Sequence, residues 1–86
     1  MSPNYPEVAR HHVHLFIHDT MGDTISKDEI YVVWFCYILG GWKALVSTER
    51  NDGLYYEVTF NKEKNETYID TYQKLHNQVY SHGREI

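Results

Sequence analysis

Three of the six histidines fall close together, His11, His14 and His18, at spacings of three and four residues. On a helix they lie within about 60° of one another at 100° per residue. Imidazoles one turn apart can share a metal ion, but zinc takes three or four ligands with outer support, and Asp19 or His76 would have to complete the set. No glutamate stands between them in an HExxH arrangement, so the metalloprotease pattern is absent. The expectation is a solvated polar helix face with no tight metal site and no cofactor. His12 falls on the apolar side and reads as a packed histidine at the core edge.

Glu57 and Asp70 are the one pair of carboxylates that two neighbouring strands would bring together, as acid/base enzymes do. No nucleophile or phosphate loop accompanies them. Gly40-Gly41 sits between strands rather than before a helix, where a phosphate cradle would need it. These outward acids read as a solvated acidic face, and the residues point away from an enzyme.

Aromatic residues are the stronger lead. The chain has eight tyrosines and two tryptophans, and Tyr55, Tyr68 and Tyr72 can share one sheet face, with Trp34 or Tyr37 to join them. Tyrosine and tryptophan concentrate at interface hot spots, because a large ring is buried while its polar tip finds a hydrogen bond. Tyrosine is also simply a good strand former, which would explain the same residues without a partner. An aromatic sheet can stack single-stranded bases too, but that use wants neighbouring cations, and eight basic residues face twelve acidic ones.

The elements that must position these side chains centre on residues 30–48, IYVVWFCYILGGWKALVST. Two β-prone runs flank Gly-Gly, a hairpin signal because primed turns need positive φ. Asn4 followed by Glu7 reads as a capping box with Pro6 in the first turn, opening an amphipathic helix over 5–19. Val8, Ala9, His12, Val13, Leu15, Phe16 and Ile17 form its apolar arc; Arg10, His11, His14 and His18 lie opposite. Val13, Leu15 and Ile17 alternate as a strand would, but Phe16 spoils that pattern and the cap favours helix. Ser26 with Glu29 caps a short turn. Strands are expected over 30–39, 42–48, 54–61 and 66–74, with 1–4 and 81–86 frayed. If residues 62–65 close the last hairpin, Val58 faces Ile69, Tyr55 faces Tyr72, and Glu57 faces Asp70 as an unfavourable like-charge pair, which a loop of different length would relieve, so the register stays open.

The sum is a single α+β domain over 1–86, an N-terminal amphipathic helix packed on a four-stranded antiparallel β-meander. Trp34, Phe35 and Val58 are expected in the core, and Cys36, inside the apolar run, as a buried inert thiol. By simple alternation Tyr31, Val33, Phe35, Tyr37 and Leu39 point one way and Val32, Trp34, Cys36 and Ile38 the other. One helix cannot cover both apolar faces, so either residues 75–86 fold back or a second copy makes a homodimer. The net charge of −4 disfavours duplex DNA, which wants a basic stripe. No signal-peptide pattern opens the chain and no uncharged run reaches the ~20 residues of a membrane span, so a cytoplasmic protein without membrane attachment is expected.

YVVWFC, WKALVST, DGLYYEVTFN and ETYIDTYQK resemble segments of a family of small uncharacterised proteins encoded by phages and prophages of Gram-positive bacteria. The resemblance covers residues 30–80, with a weaker echo of the helix. This chain departs from it at Tyr37-Ile38-Leu39-Gly40-Gly41, where the family carries a polar residue or two, and in its histidine-rich helix. The resemblance implies a phage accessory protein in the cytoplasm of an infected or lysogenic cell, and it brings no catalytic residues. With the aromatic face, it leads to the expectation of a protein that binds a host protein and interferes with host defence or metabolism. The alternative is a single-stranded nucleic-acid or nucleotide-binding module using the same face.

Overall fold

A computed structural model describes residues 4–83. Helix α1 covers Tyr5–Phe16. Asn4 caps it, its side-chain oxygen accepting from the Glu7 backbone N–H at 3.3 Å. The Glu7 carboxylate pairs with Arg10 rather than turning back to the cap. The chain then widens into a π-helical turn, Ile17–Met21, and stops at Gly22, whose φ of +66° suits a residue without Cβ. Helix, not strand, is therefore the state of the N-terminal segment. Ala9, Val13 and Ile17 are buried one turn apart, while Leu15, expected on the apolar arc, is 43% exposed.

Two residues expected on the solvated side of α1 instead tie it to the connection that follows. The Arg10 guanidinium donates to the carbonyls of Ile30 at 2.8 Å and Lys27 at 2.7 Å. The His14 ring nitrogen Nε2 lies 3.0 Å from the Ile25 carbonyl, and must carry a proton to bond there. The connection itself is fixed by the expected Ser26–Glu29 box. Glu29 accepts from the Ser26 N–H at 3.1 Å and the Ser26 hydroxyl from the Asp28 N–H at 3.3 Å, around a 3-10 turn at Lys27–Glu29. Arg50 then clamps this turn from the loop at 49–53, bonding Glu29 and Asp23. That bond holds the Glu29 carboxyl below its ordinary pKa.

Strands β1 (Ile30–Ile38), β2 (Gly41–Thr48), β3 (Leu54–Asn61) and β4 (Glu66–Gln73) form one antiparallel sheet in the order β1-β2-β3-β4. With α1 on one face this is the expected α+β meander. The last hairpin takes the register of a four-residue loop over 62–65, Val58 opposite Ile69, Tyr55 opposite Tyr72 and Glu57 opposite Asp70. Its four-residue loop closes with Asn65 at φ +52° and the Asn61 side chain accepting from Lys64.

Three details of the centre differ from simple periodicity. The first turn is Leu39-Gly40, not Gly40-Gly41, since Ile38 pairs with Gly41. Only Gly40 takes positive φ (+87°), and Gly41 belongs to β2. Next, a β-bulge between Val32 and Trp34 sets Val33 outside the pairing. An extra residue there reverses the alternation, so Val32 and Phe35 pack against the core while Tyr31 joins Trp34 on the far face. Finally, the core tryptophan is Trp42, 3% exposed, and Trp34 is 40% exposed. Around Trp42 lie Ala44, Val46, Tyr56 and Val58, all at 1% or less, with Phe35 partly buried beside them.

Residues 74–83 form no strand and are exposed throughout, with Leu75, Val79 and Tyr80 each more than 70% accessible. The tail does not cover the sheet. The expected fraying at 1–4 and 81–86 falls partly on residues 1–3 and 84–86, which lie outside the described residues. No helix among the described residues is long and apolar enough to cross a membrane.

Candidate functional site

The sheet face away from α1 is built row by row from the strand register, since directly opposed residues share a face. One row runs Tyr31, Ser47, Tyr55 and Tyr72; the next Trp34, Leu45, Glu57 and Asp70; a third Cys36, Lys43, Thr59 and Tyr68. The four aromatic residues singled out from the sequence, Trp34, Tyr55, Tyr68 and Tyr72, thus stand on one face. Tyr31 joins them because the bulge turns it over. Tyr31, Trp34, Tyr68 and Tyr72 remain 40–54% exposed. No element packs over this face among the described residues.

Its charges are sparse and locally compensated. Glu57 and Asp70 do face each other, but the Lys43 ammonium stands 3.4 Å from Glu57, on the diagonal from β2. That contact offsets the like-charge repulsion expected from the register. Lys43 was legible as the outward residue between Trp42 and Ala44. The Tyr68 hydroxyl donates to Glu66 at 2.9 Å, and this bond raises its pKa. The face can bury aromatic surface and offer Tyr31, Tyr55 and Tyr72 hydroxyls at its rim.

Cys36 lies on this same face and is exposed, contrary to the buried thiol expected, because the covered side of β1 is filled by Val32 and Phe35. One equivalent of a thiol reagent should therefore react with the native protein at the rate seen after denaturation, within about tenfold. A rate lower by orders of magnitude would show that Cys36 is covered in solution.

The histidines do not converge. His14 is occupied with Ile25, the His18 ring lies 3.3 Å from Asp19, and His11 packs beside His12 with centroids 6.3 Å apart. Among the described residues no three histidine, cysteine, aspartate or glutamate side chains are placed to hold a metal together. His12 is half-buried, and burial first, then the charge of His11, lowers its pKa below the ordinary value of 6.5. The unfolded chain then binds that proton more readily. The stability linked to His12 is complete above its unfolded pKa and is lost as pH falls below it. Thermal melts from about pH 7.5 to 5.5 should show a falling Tm, with a shallower slope in His12→Gln; an unchanged slope would place the effect elsewhere.

A second feature was not legible locally. At the far end of the helix-covered face, beyond the N-terminus of α1, is a cleft of about 570 Å3 lined by Tyr5, Tyr37, Trp42, Phe60 and Lys62 with Gly40 and Gly41. Its walls come from α1, three strands and two turns, so no single stretch of sequence announces it.

No curated protein and no solved structure matches the chain. A family model does match, over residues 6–82. With all four strands and all but the first residue of α1 inside the match, the chain belongs to this family, a family of unknown function (DUF6275).

Proposed function

We propose that the protein is a phage accessory protein that acts by binding a host protein through the uncovered sheet face, and that it works without catalysis. The observation that carries this reading is the aromatic surface of Tyr31, Trp34, Tyr68 and Tyr72, 40–54% exposed and covered by no other described element. Contiguous apolar patches beyond a few hundred Å² are uncommon on stable monomers and mark interaction sites. The phage setting is supported by the resemblance of the strand segments.

The test is capture from a Gram-positive host lysate. The parent chain should retain one stoichiometric host protein. A Trp34→Ser/Tyr72→Ser double variant should lose it, and Leu15→Ser, altered on the helix, should keep it. Capture unchanged by the double variant would sink the reading. The same face supports base stacking as a second use, with Arg50 and Lys74 beside its Tyr31–Tyr55 end, but within the paired strands Lys43 stands alone against Glu57, Asp70 and Glu66. Oligonucleotide binding with a steep salt dependence would favour that alternative.

A second copy is the simplest cover for the face in the absence of a host protein, since the tail does not provide it. Light scattering at micromolar concentration should return twice the chain mass, with the Trp34→Ser/Tyr72→Ser variant monomeric. A strictly monomeric parent would remove the homodimer and leave the host protein as the cover.

A further inference from the structure

β4 ends the sheet, paired with β3 and with no strand beyond it among the described residues. Two main-chain bonds fix which of its groups are left over. The Lys62 N–H donates to Gly40 at 2.8 Å and the Lys74 N–H to Gly53 at 2.7 Å, each continuing a strand register by one residue. Hydrogen-bonded pairs alternate along an antiparallel ladder. Both bonds therefore place Glu66, Tyr68, Asp70 and Tyr72 in the bonded pairs with β3. The N–H and C=O groups of Thr67, Ile69 and Thr71 turn to the open edge.

Free edges invite pairing, and proteins blunt them with bulges, prolines or cover. The sheet's other edge, β1, is guarded in this way. A bulge interrupts it between Val32 and Trp34, and the Arg10 guanidinium takes the Ile30 carbonyl. β4 carries neither bulge nor proline, and residues 74–83 lay no strand along it.

Side chains decide what such an edge accepts. Outward groups must meet outward groups, so two copies of β4 running antiparallel set one residue opposite its own copy. A pairing centred on Tyr68 sets Glu66 against the partner's Asp70, and one centred on Asp70 sets that carboxylate against itself. Like charges directly opposed are unfavourable. Centred on Ile69, the strand behaves differently: Glu66 faces the partner's Tyr72, Tyr68 the partner's Asp70, and Thr67 the partner's Thr71. No like charges are opposed, and both acids gain a tyrosine as neighbour. Ile69, half-buried in the single chain, meets the partner's Ile69. Centres further along the strand overlap less of it.

We propose that β4 is a self-pairing edge, through which two copies of the chain join antiparallel with Ile69 on the twofold axis. The two sheets become one, with about six main-chain hydrogen bonds across the joint. The copies lie side by side, so the aromatic face is extended through both and not covered. The joint is made by main-chain groups and does not rest on host binding.

Cys36 makes the test direct, because it is the one cysteine, is exposed, and lies on β1 at the opposite edge from the joint. A nitroxide placed there in the full-length chain reports how two copies meet. Seven strand spacings of ~4.8 Å separate the two labelled strands, roughly 34 Å. Double electron–electron resonance at micromolar concentration should therefore give a distance centred at about 30–40 Å. A pair closed face to face would bring the labels within about 25 Å, since stacked sheets lie ~10 Å apart. Trp34→Ser should keep the long distance. Thr71→Pro removes an N–H that points away from β3 and so spares the ladder. Its far-UV circular dichroism should match the parent while the coupling disappears. A distance under about 25 Å, no coupling in the parent, or coupling that survives Thr71→Pro would each overturn the proposal.

Discussion

Replacing Trp42 by alanine is expected to leave the chain without a cooperative thermal transition near body temperature. The indole is 3% exposed, shares a sheet face with Ala44 and Val58, stacks on Phe60 of β3 and meets the tilted rings of Tyr5 from the helix and Phe35 from β1. Truncating a buried tryptophan costs about 3–5 kcal/mol, the transfer cost of the ring plus that of the cavity. A domain of this length has roughly 5–10 kcal/mol to lose. Phe35→Ala should cost less, because Phe35 is only partly buried. Trp34→Ala should stay within about 1 kcal/mol of the parent, since that ring already meets water. Near-UV circular dichroism and melting curves of the three variants decide the order. A Trp42→Ala protein that melts within a few degrees of the parent would place the core elsewhere.

Gly41→Ala should be nearly as damaging, through the backbone rather than through packing. A Cβ at Gly41 would lie 1.8 Å from the Phe60 carbonyl oxygen and 2.9 Å from its carbon. Both atoms belong to the main chain of β3, so nothing flexible can give way. The pairing of Gly41 with Asn61 at the end of β2 and β3 must open or shift, at a cost of about 2–4 kcal/mol. Gly40→Ala is the matched comparison. Its φ of +87° strains a side chain, but the space beside it is empty, and the left-handed cost is about 1–2 kcal/mol. Urea denaturation should therefore rank Gly41→Ala below Gly40→Ala in midpoint. The reverse order would show that the turn, not the contact with β3, fixes the hairpin.

The two glycines also mark how far residue types alone carry. Some features that depend on neighbours a few residues apart were legible in the sequence. Asn4 caps α1 and Ser26–Glu29 closes its turn because a side chain three residues away is always within reach. Leu54, Tyr56, Val58 and Phe60 alternate cleanly, which was enough to place the strand; its register with β4 stayed open to loop length until the structure set Tyr55 opposite Tyr72 and Glu57 opposite Asp70. From these came the class of fold, the strand order and the collection of Tyr55, Tyr68 and Tyr72 on one face.

Tertiary structure decided whatever depends on which side of an element is covered. In β1 both sides are apolar, so alternation held no information about the inward one. The bulge at Val33 settled it, sending Trp34 and Cys36 outward and leaving the core to Trp42. On α1 the polar arc read as solvated, yet Arg10 and His14 are spent on carbonyls of the following connection, which folds back along the helix. Main-chain carbonyls exist at every residue and leave no mark in the sequence; only their position in space makes them partners. The cleft has the same origin. Tyr5, Tyr37, Trp42, Phe60 and Lys62 are spread over most of the chain, and they meet because the register of β1, β2 and β3 brings their ends together beneath the start of the helix.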